Sequence, residues 1–359
     1  VPLVHLPIGV SFVTFEALSY VVDVYRGDTP AARNPLHVAF YVSFFPHLIA
    51  GPILRFRDIA GAVARPAVSL ELFESGVSRF SVGLAKKMLL ANPLGAVADT
   101  IFGLGAGQLR TSTAWLGIVA YALQIYFDFS GYSDMAIGLG RMFGFSLPEN
   151  FRLPYAAESI QDFWRRWHVT LSSWFRDYVF IPLGGSRGTR TRTYRNLILV
   201  FLLCGLWHGA SWNFAIWGLF HGTFLVLERS PFGGWLKRAW RPLRHAYAIL
   251  VISIGWVFFR ADSLGAAAGY LASMAGATVA AGPRPVEYFS THFGFALACG
   301  ALLSVAPVGK LRDRLLATND ERWRAAWRLG AAFGELALVF TSMLFVASDT
   351  YSPFIYFRF

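Results

Sequence analysis

Apolar positions in this chain form long blocks rather than short stripes. A helix that crosses a bilayer needs about 20 apolar residues. Blocks of that order lie at about 1–22, 36–54, 114–146, 197–227, 245–260, 291–309 and 329–348. The stretch 70–103 is amphipathic instead, with charged residues among apolar ones, which is typical of a tilted span or of a helix at the membrane surface. The pattern predicts an all-α, polytopic integral membrane protein.

Composition excludes a soluble enzyme and a disordered chain. Only 15% of the residues are charged and 55% are hydrophobic, whereas ordinary soluble domains carry about 25% charged residues. We expect a single membrane domain over residues 1–359. Because the first apolar block is already under way at Val1, we also expect further spans before it. The two cysteines, Cys204 and Cys299, predict neither a disulfide framework nor a metal site.

Basic residues are concentrated between the apolar blocks. The segments 184–196, 229–245 and 310–328 are rich in arginine and lysine, whereas 261–290 carries little charge. Cytoplasmic loops of membrane proteins are enriched in these two residues. We therefore attribute the net charge of +11 to membrane topology and not to nucleic-acid binding. The three basic segments are predicted in the cytoplasm, and 261–290 on the opposite side.

This topology leaves segment 197–228 short of two ordinary spans, which need about 40 residues. Break signals lie near its middle, at Gly205 and in the run Trp207-His208-Gly209-Ala210-Ser211-Trp212-Asn213. They predict two short helices or a re-entrant hairpin. Irregular backbone at membrane depth has to line a cavity or pack inside protein. His208 is therefore expected at such a turn, either as a functional group or as a core imidazole bonded to a carbonyl.

A second histidine lies on an aromatic face. Ser159 and Asp162 resemble a capping box, which predicts one amphipathic helix from Ile160 onward. Along it, apolar residues and one histidine recur at helical spacing: Trp164, Trp167, His168, Leu171, Trp174, Phe175 and Tyr178. Anchoring at lipid headgroups explains the tryptophans and the neighbouring Arg165 and Arg166. It explains His168 less well.

Two carboxylates lie inside the apolar block 114–146. Asp128 and Asp134 flank Gly131, which is a predicted helix break because the block is too long for one span. Carboxylates at membrane depth serve proton paths, cation sites or histidine partners. Capping of helix ends at the break is the alternative role. His221 is expected to be structural or to support the site, and His47 is too isolated in the sequence to be interpreted.

Two motifs connect this chain with a known family. The chain resembles the membrane-bound O-acyltransferases through FWRRWHVTLSSWFRDYVFIPLGGSRG (163–188) and LWHGASWNFAIWGLFHG (206–222). Further likeness lies in YFDFSGYSDMAIGLGRMFGF (126–145) and FPHLIAGPILRFRDI (45–59). The resemblance covers nearly the whole chain. Within the family it is closest to the bacterial polysaccharide O-acetyltransferases, and there to the membrane subunit of alginate O-acetylation.

The resemblance implies an architecture and a reaction. Transmembrane helices would form a ring around a central tunnel, in the bacterial inner membrane. Acetyl-CoA would be the cytoplasmic donor substrate, with no bound cofactor and no metal. Periplasmic acetyltransferase partner proteins would carry the acetyl group to an exopolysaccharide. His208 would be the catalytic base. His168, or a donor held by it, would stabilise the oxyanion or orient the thioester.

Other polar residues are candidates for supporting roles. Substrate contact or support of the site is expected of Asp128, Asp134, Arg165, Arg166, Trp207, Asn213 and His221. Arg187 and Arg190 are candidates for the phosphates of CoA, because guanidinium groups match phosphate geometry. A proton-coupled transporter or flippase for a polysaccharide or acyl precursor is the alternative function, with Asp128, Asp134 and His208 as its relay.

Overall fold

The computed structural model describes residues 9–277, 281–306 and 321–348. Within these ranges all regular structure is helical, which confirms the predicted all-α class. The α-helices are α1 (Val10–Arg26), α2 (Pro35–Ser43), α3 (Phe56–Ala64), α4 (Leu70–Ala85), α5 (Asn92–Phe102), α6 (Thr111–Met142), α7 (Ile160–Trp164), α8 (Val169–Phe175), α9 (Arg190–His208), α10 (Trp212–Leu227), α11 (Pro231–Arg238), α12 (Arg241–Arg260), α13 (Leu264–Met274), α14 (Thr291–Val305) and α15 (Glu321–Ser348). Two π-helical turns continue α4 and α8, at Lys86–Ala91 and Arg176–Phe180.

Helix α6 is the long central element. Its 32 residues extend about 48 Å at 1.5 Å per residue. The predicted break at Gly131 is wrong, because α6 continues through it. Gly131 lies where α4 crosses α6: a Cβ atom there would come within 2.8 Å of the Gly83 carbonyl oxygen. The missing side chain lets two helix backbones approach closely, as small residues do in membrane proteins.

The amphipathic stretch 70–103 packs against α6 along most of its length. It forms α4, the first π-helical turn and α5. A π-helical turn shifts the helical register, and here consecutive lysines both reach carboxylates of α6. The Nζ atom of Lys86 lies 2.6 Å from Asp134, and that of Lys87 lies 2.7 Å from Asp128. The charges of Lys86 and Lys87 are thus matched by carboxylates of α6.

Segment 197–228 forms the predicted pair of helices. Helices α9 and α10 pack side by side, joined by the turn 209–211, and His208 is the last residue of α9. Gly205 was predicted as a break signal, but it lies within α9. A Cβ atom on Gly205 would overlap the Phe214 carbonyl of α10, so this glycine permits the close contact between the two helices.

The single amphipathic helix predicted from Ile160 is interrupted. Its start is confirmed, since the Ser159 hydroxyl accepts a hydrogen bond from the Asp162 N–H at 3.0 Å. The chain leaves the helix after Trp164, and His168 adopts a left-handed conformation with φ of 41° before α8 begins. The interruption lets the Arg166 carbonyl accept from the Arg152 N–H at 2.9 Å. The predicted aromatic face is nevertheless buried from Trp164 to Phe175, and Tyr178 is half-buried.

Other predicted blocks and loops change length in the structure. The block 36–54 is helical only in α2, and residues 44–55 run without a regular helix. The basic segment 184–196 is a loop only to residue 189, because α9 begins at Arg190. The basic segment 229–245 contains α11 and the start of α12. Residues 1–8 and 310–320, which carry further predictions, lie outside the described ranges.

Two described helices are long and apolar enough to cross a membrane, α12 and α15. Helices α10, α13 and α14 are apolar but shorter. Only 6% of the apolar window in α15 is buried inside the protein, against 44% for α12. Helix α15 therefore lies at the periphery, and α12 packs in the interior beside α10. The assignment of loops to the two membrane sides stays a prediction.

Candidate functional site

His208 lies in an aromatic surround built by three helices. Its half-buried ring is 4.6 Å from the ring centroid of Trp207, 5.2 Å from that of Trp217 and 4.9 Å from that of Phe259. These neighbours come from α9, α10 and α12. The imidazole is thus held at the end of a helix, against aromatic rings from all three helices.

His168, the histidine of the other motif, is deeply buried. Its side chain is 2% exposed, and its Nδ1 atom lies 3.1 Å from the Asn150 Oδ1 atom. The edge of Phe129 packs on the ring at 4.7 Å, and Phe12 stacks on it at 6.3 Å. Helices α1 and α6 therefore fix the ring position, and Asn150 fixes its rotation.

Trp207 connects the two histidines. Its ring lies 4.6 Å from that of His208 and 6.5 Å from that of His168. Phe15 of α1 stacks on the same indole at 5.4 Å. The structure thus brings together the histidines of both sequence motifs around one tryptophan. Trp207, predicted to support the site, lies at its centre.

Asn213 and His221 both lie on α10 but make different contacts. The Asn213 side-chain amide donates a hydrogen bond to the Ala261 carbonyl, which holds the turn beside the end of α12. His221 is 1% exposed and packs against Trp164 and Trp217, at 5.1 Å each. Gly255 of α12 leaves the space for its ring. Asn213 therefore positions the hairpin that carries His208, and His221 belongs to the packing of α10 on α12.

The two carboxylates of α6 form ion pairs with α4 and its π-helical extension. Asp128 is 2% exposed and is paired with Lys87. Asp134 contacts Lys86 and Arg79, each at 2.6 Å. The predicted role in capping a helix break is wrong, because α6 is continuous through this region. Both carboxylates instead tie α6 to α4 by charge.

A cavity of about 590 Å³ opens beside α7, α8 and α9. Four arginines contribute to its lining: Arg152, Arg165, Arg176 and Arg229. Its apolar wall includes Trp164 and Cys204, and Cys204 lies one helical turn before His208. Arg187 and Arg190 are exposed and are not among the lining residues. The cavity therefore leads from exposed guanidinium groups toward the helix that carries His208.

Two of the arginines near this cavity are held by carboxylates. Arg166 donates to Asp162 at 2.9 Å. Arg176 donates to Asp177 at 2.6 and 3.1 Å. Burial alone would raise the pKa of Asp177, but hydrogen bonds from Arg176 and Arg55 lower it below its usual value. Asp177 is thus an anion that orients Arg176 at the cavity.

Sequence reasoning missed three buried polar residues. Asn150 is 0% exposed and bonds to His168. His47, which could not be interpreted from the sequence, has its Nδ1 atom 2.9 Å from the Glu16 carboxylate. Glu16 also accepts from the Leu54 N–H at 3.2 Å. A polar residue within an apolar stretch was the available signal for a buried polar contact. The sequence did not show the partner, because the partner lies in a distant part of the chain.

The model of the membrane-bound O-acyltransferase family, MBOAT, matches residues 10–259. This chain belongs to that family. It is 54% identical over 269 residues to the probable alginate O-acetylase AlgI of Azotobacter vinelandii, covering 75% of this chain and 54% of the relative. Residues 10–259, which the family model matches, contain α1 to α11 and all but the last residue of α12, with both histidines. The family predicted from the two motifs is confirmed.

Further relatives extend the comparison. The probable alginate O-acetylase AlgI of Pseudomonas putida is 44% identical over 374 residues, covering 99% of this chain and 76% of that protein. The peptidoglycan O-acetyltransferase of Helicobacter pylori is 40% identical over 302 residues, covering 76% of this chain and 57% of that protein. The chain spans about half the length of the Azotobacter relative.

Proposed function

We propose that this chain is the membrane subunit of an alginate O-acetylation system. It would move acetyl groups from acetyl-CoA in the cytoplasm across the bacterial inner membrane. Periplasmic acetyltransferase partner proteins then pass them to the exopolysaccharide. The observation that carries the proposal is the meeting of His168 and His208 around Trp207. The names of the alginate O-acetylase relatives support the choice of polymer.

His208 is the catalytic base in this proposal. An incoming hydroxyl, from the polysaccharide or from a partner protein, attacks the carbonyl carbon of the acetyl thioester. His208 takes the proton of that hydroxyl as the new C–O bond forms. The C–S bond then breaks, and the CoA sulfur leaves with the proton that His208 took up, which returns the imidazole to its neutral form. General-base catalysis of this kind contributes about 10²–10⁴-fold in rate.

The arginine-lined cavity is the entrance for the donor in this proposal. CoA carries several phosphates, and arginine pairs with phosphate through two parallel hydrogen bonds. Arg152, Arg165, Arg176 and Arg229 line the cavity, so they bind the phosphates while the thioester extends toward α9. Arg187 and Arg190, the residues first predicted to bind the CoA phosphates, lie near the start of α9. There they attract the negatively charged donor.

The membrane architecture belongs to the same proposal. Residues 1–359 form one domain, in which helices surround a central tunnel. Helices α12 and α15 have the length and apolarity of membrane spans. In this proposal the hairpin of α9 and α10 places His208 within the membrane. The family is membrane-bound, which agrees with a multi-pass protein of the inner membrane.

Release of free CoA tests the proposal. Inverted membrane vesicles that contain the full chain, and that enclose its periplasmic partner proteins and alginate in their lumen, are incubated with radiolabelled acetyl-CoA added outside. We expect free CoA and labelled alginate to appear together. Arg152→Gln with Arg165→Gln should raise the KM for acetyl-CoA several-fold, whereas Arg187→Gln with Arg190→Gln should change it less. A transporter or flippase would release no CoA above background at normal protein abundance, and that result would refute the proposal.

A further inference from the structure

Asn150 is the only described residue for which a hydrogen bond to a ring nitrogen of His168 is seen, and this contact determines where the ring carries its proton. We propose that Asn150 is a positioning residue that fixes neutral His168 in the tautomer with hydrogen on Nδ1. The Nε2 atom is then a hydrogen-bond acceptor. The meaning of this for acetyl transfer rests on the proposed function, but the tautomer itself does not.

Both ends of the Asn150 amide have hydrogen-bond partners. Its Oδ1 atom lies 3.1 Å from the His168 Nδ1 atom, 3.3 Å from the Thr170 backbone nitrogen and 3.0 Å from the Thr170 hydroxyl. Its Nδ2 group donates to the Ser133 hydroxyl at 3.1 Å. The residue is 0% exposed, so no bulk water competes for these bonds.

The backbone fixes which end of the amide faces His168. The Thr170 N–H can only donate, so the atom that faces it must be the carbonyl oxygen of Asn150 and not the NH₂ group. The Thr170 hydroxyl agrees with this orientation. It accepts a hydrogen bond from the Ile53 N–H at 3.0 Å, which leaves its own proton for the Asn150 oxygen. The orientation is therefore set by the hydrogen-bond network.

The tautomer follows from that orientation. A carbonyl oxygen accepts hydrogen bonds and never donates them. The His168 Nδ1 atom must then carry the hydrogen, and in a neutral imidazole the lone pair lies on the other nitrogen. Loss of Asn150 would leave a buried N–H without an acceptor, which is unfavourable. The contact is thus energetically significant as well as directional.

The backbone of the same region holds His168 in place. The Asn150 carbonyl accepts from the Val169 N–H at 3.0 Å. His168 itself has φ of 41°, a conformation that non-glycine residues keep only where surrounding contacts impose it. Side-chain and main-chain bonds from Asn150 therefore determine both the position and the rotation of the ring.

The free nitrogen of His168 is suited to accept. Its Nε2 atom is buried without a hydrogen-bond partner among the described residues, in the surround that includes Phe12 and Trp207. A neutral ring in this tautomer offers a lone pair there and no N–H. It would accept a hydrogen bond from a substrate hydroxyl, and it would not donate to an oxyanion. This replaces the oxyanion role predicted for His168 from the resemblance.

Nitrogen NMR tests the tautomer directly. Histidine is labelled with ¹⁵N in the full protein, reconstituted in lipid bilayers near neutral pH, and the His168 signals are identified by their loss in His168→Gln. We expect a protonated Nδ1 and a bare Nε2, the reverse of the tautomer that free imidazole side chains favour in water. A protonated Nε2 with a bare Nδ1 in the unaltered protein would overturn the proposal.

Three variants separate positioning from folding. Asn150→Asp keeps an acceptor oxygen toward His168 and should keep the hydrogen on Nδ1, even if stability falls through the lost bond to Ser133. Asn150→Leu should move the hydrogen to Nε2 and lower kcat at least tenfold, with little change in KM. Thr170→Val, the matched control, keeps the backbone donor and should leave the tautomer unchanged. If Asn150→Leu fails to fold, Asn150→Asp still provides the test. Loss of the hydrogen from His168 Nδ1 in that variant would contradict the proposal.

The NMR result is independent of acetyl transfer. If His168 carries its hydrogen on Nδ1 but the vesicles release no CoA, the proposed function fails and the Asn150 assignment stands. If CoA is released but the hydrogen lies on Nε2, the Asn150 assignment fails and the proposed function stands.

Discussion

The ion pair between Lys87 and Asp128 is almost wholly removed from solvent. The side chains are 13% and 2% exposed, and the two charged atoms lie 2.7 Å apart. Loss of one partner of a buried pair leaves a charge uncompensated and typically costs about 3–5 kcal/mol. Replacement of both partners by apolar residues of similar volume is often close to neutral. Stability therefore depends on the two charges compensating each other, and less on the presence of the pair itself.

This balance gives a prediction for single and double variants. Asp128→Asn should lower the thermal midpoint and the abundance of the protein, whereas Lys87→Met combined with Asp128→Leu should recover most of both. Thermal unfolding in detergent, followed by the remaining monodisperse fraction, measures the effect. Normal stability of Asp128→Asn together with lost acetylation would contradict the structural role and favour a proton or cation site.

Single residues differed in how visible their roles were in the sequence. His168 and His208 stood out because ionisable groups among apolar residues at a predicted turn or face are rarely incidental. Asn150 did not, because its role depends on a contact with His168 across an interrupted helix. The partner of His47 was equally hidden, since Glu16 lies on α1. Periodicity reveals which face is buried, but not which distant polar group meets it.

At the scale of helices, the crossing of α4 and α6 depends on the absence of a side chain. A Cβ atom on Gly83 would lie 2.5 Å from the Gly131 carbonyl oxygen, so Gly83→Ala should force the helices apart. Overpacking of this kind costs about 1–3 kcal/mol. Gly61→Ala is the matched control in another helix, because a Cβ atom there meets nothing within 4 Å.

The comparison of these two alanine variants is the test of the crossing. Gly83→Ala should lower the thermal midpoint in detergent, whereas Gly61→Ala should leave it unchanged or raise it slightly, since alanine favours a helix over glycine by about 0.5–1 kcal/mol. Equal midpoints for both variants would show that the close approach of α4 and α6 contributes nothing to stability.

Length arithmetic predicted some elements and failed for others. It predicted the hairpin of α9 and α10, because a basic segment at each end of 197–228 indicated that the chain starts and finishes on the same side of the membrane. It failed for α6, where a glycine suggested a break but serves helix contact instead. It also failed for 160–178, because the Arg166 carbonyl and the Val169 N–H form hydrogen bonds with the backbone of residues 152 and 150. Helix continuity depends on such partners, which spacing alone does not contain.

For the whole molecule, the main untested prediction is the side of the membrane on which each loop lies. Cys204 and Cys299 are first replaced by alanine, and single cysteines are then introduced as Lys237→Cys or Asp262→Cys, both at exposed positions. A membrane-impermeant maleimide should label Asp262→Cys in intact cells and Lys237→Cys only after lysis, because basic segments stay in the cytoplasm. Strong labelling of Lys237→Cys in intact cells would reverse the topology.

The acetyl content of alginate made by cells with His208→Gln tests the central claim most directly. Glutamine can hydrogen-bond in the aromatic surround of His208 but cannot take up a proton, so acetylation should fall by about 10²-fold or more while protein abundance in the membrane stays normal. His221→Gln is the control, because His221 lies in the packing of α10 on α12, and it should retain more acetylation. Near wild-type acetyl content in His208→Gln, at equal abundance, would contradict the assignment of His208 as the base.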